Sequence, residues 1–134
     1  MCRLWFWLTI VFAFEAFVSR AAKAFGVSKG AFQQMKEQDP SWPDVVVRLK
    51  LLRDRGARLY LPQASWEQVI ARHYRVRNKW AHNLGIISKP DGEIMQITSW
   101  DHESEVAWIS EAGWSELRLA VDNLSKQVLA AYSP

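Results

Sequence analysis

The chain begins with a strongly apolar segment. Residues 4–14 are apolar with one exception, and polar residues then follow at a spacing of four, at Glu15, Ser19 and Lys23. This spacing places the three polar side chains in one stripe along a helix, so the pattern predicts a single helix over residues 4–25. Because its first half is apolar on all sides, most of it should be covered, which in so small a bundle indicates a subunit contact.

A second interpretation of the N-terminus is a membrane segment. Arg3 followed by an apolar run resembles the front of a secretory signal peptide, or an anchor formed by residues 4–18. The run is shorter than the roughly 20 residues that span a bilayer, and Glu15 interrupts it. The helical continuation beyond Glu15 favours a core or dimer helix, and we therefore expect no membrane association.

The next part of the chain is a connection followed by a second helix. Residues 26–43 are polar and contain several glycines and prolines, which predicts a connection with one short helical turn. Pro43 suits the first turn of a helix that runs from Asp44 to about Arg55 and ends at Gly56. The positions expected to face inward are Val46, Leu49 and Leu52/Arg53.

A third helix follows a serine that is suited to cap it. Ser65 and Gln68 have the spacing of a capping box, and apolar residues recur at helical spacing through His82. The segment 83–85, Asn-Leu-Gly, is expected to end this helix. The helix positions with this periodicity are Trp66, Val69, Ile70, His73, Val76 or Arg77, and Trp80.

The C-terminal third combines a hairpin signal with a long helix. Residues 85–88 and 93–98 flank a Lys-Pro-Asp-Gly turn and predict a small β-hairpin, and residues 106–109 predict a short extended piece. A last helix over residues 110–132 shows the clearest periodicity of the chain. We therefore predict an all-α bundle of four to five helices with one small β-hairpin, forming a single domain over residues 1–134.

Composition supports a folded domain with few routes to metal or cofactor chemistry. The 134 residues are 49% hydrophobic and 23% charged, which excludes intrinsic disorder. Cys2 is the only cysteine, so an intrachain disulfide and a cysteine zinc site are excluded, and a reducing, cytoplasmic location is expected. The three histidines lack metal-ligand spacing, and the chain has no glycine-rich phosphate loop. We expect neither a metal nor a cofactor.

The net charge of +3 conceals an asymmetry along the chain. Residues 1–82 carry a formal balance of +8, and residues 83–134 carry a balance of −5. A positive field on one part of a small domain indicates a polyanionic partner, with nucleic acid first among them. Solvated surface charge is the alternative that charge alone leaves open.

The segment that ends the basic half contains the residues best suited to chemistry. It reads Arg77-Asn78-Lys79-Trp80-Ala81-His82. An arginine offers a rigid fork of donors that matches a phosphate, and a histidine can move a proton near neutral pH. An RNA phosphodiester suits this pair, because histidine can activate the 2′-oxygen or protonate the leaving 5′-oxygen while arginine stabilises the charged phosphorane.

The spacing of this pair predicts two copies of the chain at one site. Positions five apart are offset by about 140° on an ideal helix, so one helix would not aim Arg77 and His82 at the same point unless it frays at Ala81. Two copies facing each other across a two-fold axis would bring both pairs into one cleft. No metal is then required, and DNA is refused because it lacks the 2′-hydroxyl.

Each of these residues also has a purely structural interpretation. His82 could be a C-capping histidine favoured by the helix dipole, and Arg77 could belong to a surface or interface ion pair. Neighbouring Arg72, Arg75 and Lys79 are candidates for RNA binding or ordinary surface charges. Two aromatic residues of the same helix, Tyr74 and Trp80, could stack on bases or belong to the core.

The motif resembles the signature of the HEPN (higher eukaryotes and prokaryotes nucleotide-binding) domains. Their mark is an arginine, often followed by a polar residue, with a histidine after four to six residues near the end of a bundle helix. Arg77, Asn78 and His82 match these positions, and an apolar first helix and a long amphipathic last helix complete the likeness.

The resemblance implies a dimeric α-helical bundle that acts as a metal-independent endoribonuclease leaving 2′,3′-cyclic phosphate ends. Arg77 and His82 would be the catalytic pair, with Asn78 orienting a side chain or the phosphate. Such domains serve as toxins or in anti-phage defence, which implies an antitoxin or a defence-system partner. The tyrosine two residues after the histidine, which one toxin subgroup carries, is Leu84 here. Other members are non-catalytic modules that bind RNA, nucleotides or proteins.

Overall fold

The computed structural model describes the backbone of residues 3–62, 64–87 and 111–132. Side chains are described in the same ranges apart from those of residues 3–5 and 79–87. All regular secondary structure in these ranges is helical, which confirms the all-α prediction for this part of the chain. The helices are α1 (Arg3–Ala24), α2 (Lys29–Gln38), α3 (Asp44–Asp54), α4 (Trp66–Ile87) and α5 (Glu111–Ala131).

Helix α1 confirms the predicted continuous N-terminal helix. It buries Trp7, Val11, Phe14 and Val18, whose alternating spacing of four and three forms one face. The expected coverage on most sides is not seen within one chain, because Phe12 remains 51% exposed. Among the helices of the described ranges, none is long and apolar enough to cross a bilayer.

Helix α2 corrects the prediction of a single turn in the connection after α1. It spans ten residues, and the Ser28 hydroxyl caps its N-terminus by accepting a hydrogen bond from the Ala31 amide at 3.1 Å. None of its residues is fully buried, but Phe32 and Met35, three positions apart, are half-buried on its packed side. An exposed helix of this kind is held by its cap and by edge packing against α3.

Helix α3 confirms the second predicted helix, and of the alternatives Leu52/Arg53 it is Leu52 that faces inward. Val46, Leu49 and Leu52 are buried, whereas Arg53 is exposed and lies 3.4 Å from the Glu67 carboxylate. The helix ends as predicted before Gly56, whose φ of 112° is a conformation that favours glycine.

Helix α4 runs beyond its predicted end. Residues 83–85 do not terminate it, and the helix continues to Ile87. The first strand of the predicted hairpin is therefore wrong, since residues 85–87 are helical. A glycine costs a helix interior only about 1 kcal/mol, and the first proline after Gly85 is Pro90. The remaining hairpin residues and the extended piece at 106–109 lie outside the described residues.

The core lies where α1, α3, α4 and α5 meet. Helix α5 contributes the predicted stripe, with Leu117, Leu124 and Val128 fully buried and Trp114 and Val121 packed against the core at its edge. Helix α1 packs against α3, α4 and α5 and so joins the other core helices. This arrangement leaves the α4 residues around Arg77 between α1 and the start of α3.

Candidate functional site

The apolar residues of α4 determine where its polar residues lie. The helix buries Val69, Ile70, His73, Tyr74 and Val76 against its neighbours. The intervening polar residues are therefore held at the margins of the buried face, where they border other helices. Such a rigid helix can fix the position of a functional side chain more accurately than a loop can.

Arg77 is held by three contacts. Its Nη2 lies 3.0 Å from Glu15 Oε2, its Nη1 donates a hydrogen bond to Asn78 Oδ1 at 2.8 Å, and its guanidinium carbon lies 5.2 Å from the ring centre of Phe12. The side chain is 23% exposed. The contact with Glu15 is close but not aligned as a hydrogen bond, and Arg77 Nε has no hydrogen-bond partner within the described residues. Because this Nε is buried, an incoming anion could contact only the exposed part of the side chain.

Arg77 and Asn78 border one charged cavity of about 120 Å³, which we call the α4 cavity. Charges of both signs line it, because the Lys36–Asp44 pair at 3.0 Å borders it together with the Arg77–Glu15 pair. Its described lining residues are Glu15, Lys36, Pro43, Asp44, Val45, Tyr74, Arg77 and Asn78. The cavity thus offers two cations, each with a carboxylate beside it.

The backbone of α4 fixes the register of His82. The helix is unbroken through this residue, so the fraying at Ala81 that would bring His82 towards Arg77 is not observed. His82 follows Asn78 by four residues, which places it about 6 Å further along the axis and within about 40° of the same side. It remains about 140° around the helix from Arg77. The side chain of His82 is outside the described residues.

The three predicted RNA-binding residues do not share one environment. Arg72 forms an ion pair at 3.0 Å with Glu116 of α5. Arg75 is exposed, with its guanidinium carbon 5.9 Å from the ring centre of Trp42, which also lies 4.1 Å from the Lys50 ammonium. The Lys79 side chain lies outside the described residues. Arg72 and Arg75 therefore border different neighbours.

Two further α4 residues belong to the interior. Tyr74 is 2% exposed, and its hydroxyl donates a hydrogen bond to the backbone oxygen of Val11, so the core interpretation holds and base stacking by this ring is excluded. Burial raises the pKa of Tyr74. The fully buried His73 accepts a hydrogen bond from the Trp7 indole at Nδ1 (3.1 Å), and its Nε2 lies 3.0 Å from Glu116 Oε1.

The sequence pattern did not identify two of the residues that shape this region. The sequence places Glu15 in a polar stripe and at the end of an apolar run, and neither position indicates its contact with Arg77. Trp42, which is flanked by Lys50 and Arg75, carries no signal either, because nothing in its local sequence indicates the cations that the fold brings to it.

Two further observations bear on this region: its capacity to hold a metal ion, and its comparison with known proteins. Within the described residues, no group of three or more histidine, cysteine, aspartate or glutamate side chains could hold a metal ion. Compared with family models, with curated proteins and with solved structures, this chain gave no match. The likeness to HEPN domains therefore depends on the Arg77-Asn78-His82 spacing and on the position of these residues near the end of a bundle helix.

Proposed function

We propose that this protein is a metal-independent endoribonuclease whose site combines Arg77, Asn78 and His82 from two copies of the chain. The observation that supports it is the position of Arg77, whose guanidinium binds the Asn78 side chain at a charged cavity on a helix that continues unbroken through His82. These residue types supply anion binding and proton transfer, the two functions that RNA cleavage by its own 2′-hydroxyl requires.

The proposed reaction needs no group beyond the RNA and these side chains. The 2′-oxygen attacks the adjacent phosphorus as His82 accepts its proton, and His82 then donates this proton to the 5′-oxygen that leaves. The bond from phosphorus to the 5′-oxygen breaks, giving a 2′,3′-cyclic phosphate and a 5′-hydroxyl. Arg77 balances the charge of the phosphorane, and Asn78 positions its guanidinium through Oδ1.

A homodimer is part of the proposal because the register of α4 keeps Arg77 and His82 on different sides of one helix. A second copy, facing the first across a two-fold axis, would supply the missing partner to each residue. The exposed apolar face of α1 supports such a contact, since Phe12 lies against Arg77 itself and Phe6 is 44% exposed. Apolar side chains next to a charged cleft are suited to a subunit interface.

A non-catalytic RNA- or nucleotide-binding module is the second candidate function. The observation that favours it is Glu15, whose carboxylate lies 3.0 Å from Arg77 and offsets the charge that a phosphorane would need. In this alternative the same bundle binds RNA, and the binding weakens with salt without any cleavage.

Incubation of the purified protein with a cellular RNA pool tests the proposed function. We expect fragments with 2′,3′-cyclic phosphate and 5′-hydroxyl ends, formed equally well in EDTA, and no cleavage of single-stranded DNA of matching sequence. The end chemistry is read by whether the 5′ ends accept phosphate from a polynucleotide kinase without prior dephosphorylation. Salt-sensitive RNA binding with intact RNA would instead support the binding module.

Replacement of Glu15 by glutamine tests the role of the carboxylate beside Arg77. The change removes a negative charge 3.0 Å from the guanidinium and keeps the side-chain shape. We expect the Kd for a non-cleavable 2′-O-methyl RNA to fall by about two- to fivefold, because an exposed or half-exposed charge contributes about 0.5–1 kcal/mol. Asp122→Gln, which removes an exposed carboxylate from α5, is the control and should leave this Kd unchanged.

The biological setting follows only from the family likeness. We propose a cytoplasmic toxin or anti-phage defence component whose activity is held in check by an antitoxin or a partner protein. Expression of the active protein alone would then inhibit growth, and loss of either catalytic residue would relieve the inhibition. Sequencing of the cleavage products would identify the RNA whose loss inhibits growth.

A further inference from the structure

A second cavity lies at the N-terminal end of α2. It encloses about 330 Å³ between the last turns of α1, the first turns of α2 and the middle of α3. We call it the cationic pocket. Its described lining residues are Ser19, Ala22, Lys23, Val27, Ser28, Lys29, Phe32, Gln33 and Arg48. The volume is at the lower end of the range of small-ligand sites, about 300–1,000 Å³.

The charge of this pocket is uncompensated. Lys23, Lys29 and Arg48 line it, and none of its described lining residues is acidic. Within the described residues, none of these three cations has a carboxylate within ion-pair distance, whereas each cation of the α4 cavity does. Three cations around one concave surface repel one another, and an anion between them removes that repulsion.

The polar groups of the pocket suit a phosphate in particular. The Arg48 guanidinium stacks over the Phe32 ring at 4.6 Å, which fixes the plane of its donor fork. Hydroxyl groups of Ser19 and Ser28 and the amide of Gln33 add neutral partners. Because Ser28 is the N-cap of α2, the pocket also borders the positive end of that helix dipole.

The residues that line the two cavities are neighbours on each of three helices. From the α4 cavity to the cationic pocket, the lining moves from Glu15 to Ser19 on α1 and from Val45 to Arg48 on α3. On α2 it moves from Lys36 back to Gln33. Each step is three or four residues, or about one helical turn of 5.4 Å.

We propose that the cationic pocket is a phosphate subsite for the RNA strand, and that it holds a backbone phosphate near the one bound at Arg77. The inference rests on the proposed function for the identity of the strand. The carrying observation is the juxtaposition of three cations, unopposed by carboxylates in the described structure, near the cavity at Arg77. Arg48 lies about one helical turn from the residues that line that cavity, and Lys23 and Lys29 lie about two turns from them. The pocket binds the sugar-phosphate backbone and therefore adds affinity without sequence preference.

The test compares RNA affinity in two charge-matched double variants of the full chain. K23Q/K29Q removes two exposed cations of the pocket, and R118Q/K126Q removes two exposed cations from α5, which lines neither cavity. Fluorescence anisotropy with a 2′-O-methyl octanucleotide, from 50 to 300 mM KCl, gives Kd and its salt dependence without cleavage. Circular dichroism confirms that both variants are folded.

We expect K23Q/K29Q to raise Kd at least fivefold at the lowest salt and to reduce the slope of log K against log salt by about 0.7, the value for one phosphate of a single strand. R118Q/K126Q should stay within twofold of wild type. Equal effects of the two variants would overturn the subsite. The subsite would also be overturned if calorimetry shows that the pocket binds inorganic pyrophosphate but K23Q/K29Q leaves the oligonucleotide affinity unchanged.

The same variants separate this inference from the proposed function. If wild type cleaves RNA and K23Q/K29Q binds RNA as tightly as its control, the proposed nuclease activity is supported and the proposed subsite is contradicted. If wild type does not cleave RNA but only K23Q/K29Q loses RNA binding, the subsite is supported and the nuclease activity is contradicted. R48Q, measured in the same way, checks that the effect belongs to the pocket and not to the two lysines as surface charges.

Discussion

His82→Ala and Arg77→Ala are each expected to reduce the rate of RNA cleavage by about 10²- to 10⁴-fold. The first variant removes the proton-transfer group, and the second removes the only described cation that lies against both Asn78 and Glu15. Initial rates on a fluorogenic oligoribonucleotide measure the loss. Full activity in both variants would contradict the catalytic assignment, whatever their effect on binding.

The two variants also test whether the site is shared between copies. A mixture of inactive R77A and H82A chains forms mixed dimers that contain one intact arginine and one intact histidine on different copies. If the two residues act across the two-fold axis, mixing restores a measurable fraction of wild-type activity. If they act within one copy, no chain in the mixture carries both, and activity stays at the level of the single variants.

Asn78→Ala separates positioning from chemistry in the same assay. Its Oδ1 binds only the Arg77 guanidinium in the described structure, so its removal loosens the arginine without removing either reactive group. We expect a loss of about tenfold in kcat with the pH profile unchanged, because the group that transfers the proton is still present. A shift of that profile would instead assign Asn78 to the proton transfer.

The pattern of apolar residues predicted the helices that bury a continuous stripe. Residues of α5 such as Leu117 and Leu124 and of α1 such as Val11 and Phe14 repeat at helical spacing because one side of each helix faces the core. Helix α2 has only a short half-buried stripe, Phe32 and Met35, which is too brief to stand out from the polar connection around it. Its presence depends on the Ser28 cap and on the α3 surface, both of which are clearer in three dimensions than in the sequence.

Contacts between residues far apart in the sequence account for the remaining differences between the predicted and the observed structure. Glu15 and Arg77 are 62 positions apart, and only the packing of α1 against α4 brings them to 3.0 Å. The same holds for the partners of His73. Its spacing places it on the apolar face of its helix, but only the fold brings Trp7 of α1 and Glu116 of α5 to its two ring nitrogens.

His73→Leu is expected to lower the free energy of unfolding by about 1–3 kcal/mol, because the Trp7 indole N–H then remains buried without an acceptor. Trp7→Phe should also destabilise the fold, through loss of packing and of the same hydrogen bond. The double variant W7F/H73L removes both partners, so its cost should be smaller than the sum of the two single costs. Urea unfolding followed by circular dichroism measures all three. Strict additivity would show that the indole–imidazole bond contributes nothing.

Acid should weaken the fold through the same residue. Burial lowers the pKa of His73, and this outweighs the hydrogen bond and charge of Glu116, which act in the opposite direction, while Arg72 adds to the lowering. The folded protein therefore holds His73 neutral at pH values where the unfolded chain, with a pKa near 6.5, already binds a proton. Stability is fully present above pH 6.5 and declines as the pH falls below it, by at most about 1.4 kcal/mol per unit.

The tautomer of His73 explains why its protonation at low pH would destabilise the fold. Trp7 donates to Nδ1, so the ring proton is on Nε2, where it is donated to Glu116. A second proton would have to enter at Nδ1 and would turn the acceptor of the indole bond into a donor facing a donor. Between pH 7.5 and 5.5, wild type should therefore lose more stability than H73L does. Equal losses in the two proteins would show that another group controls the acid response.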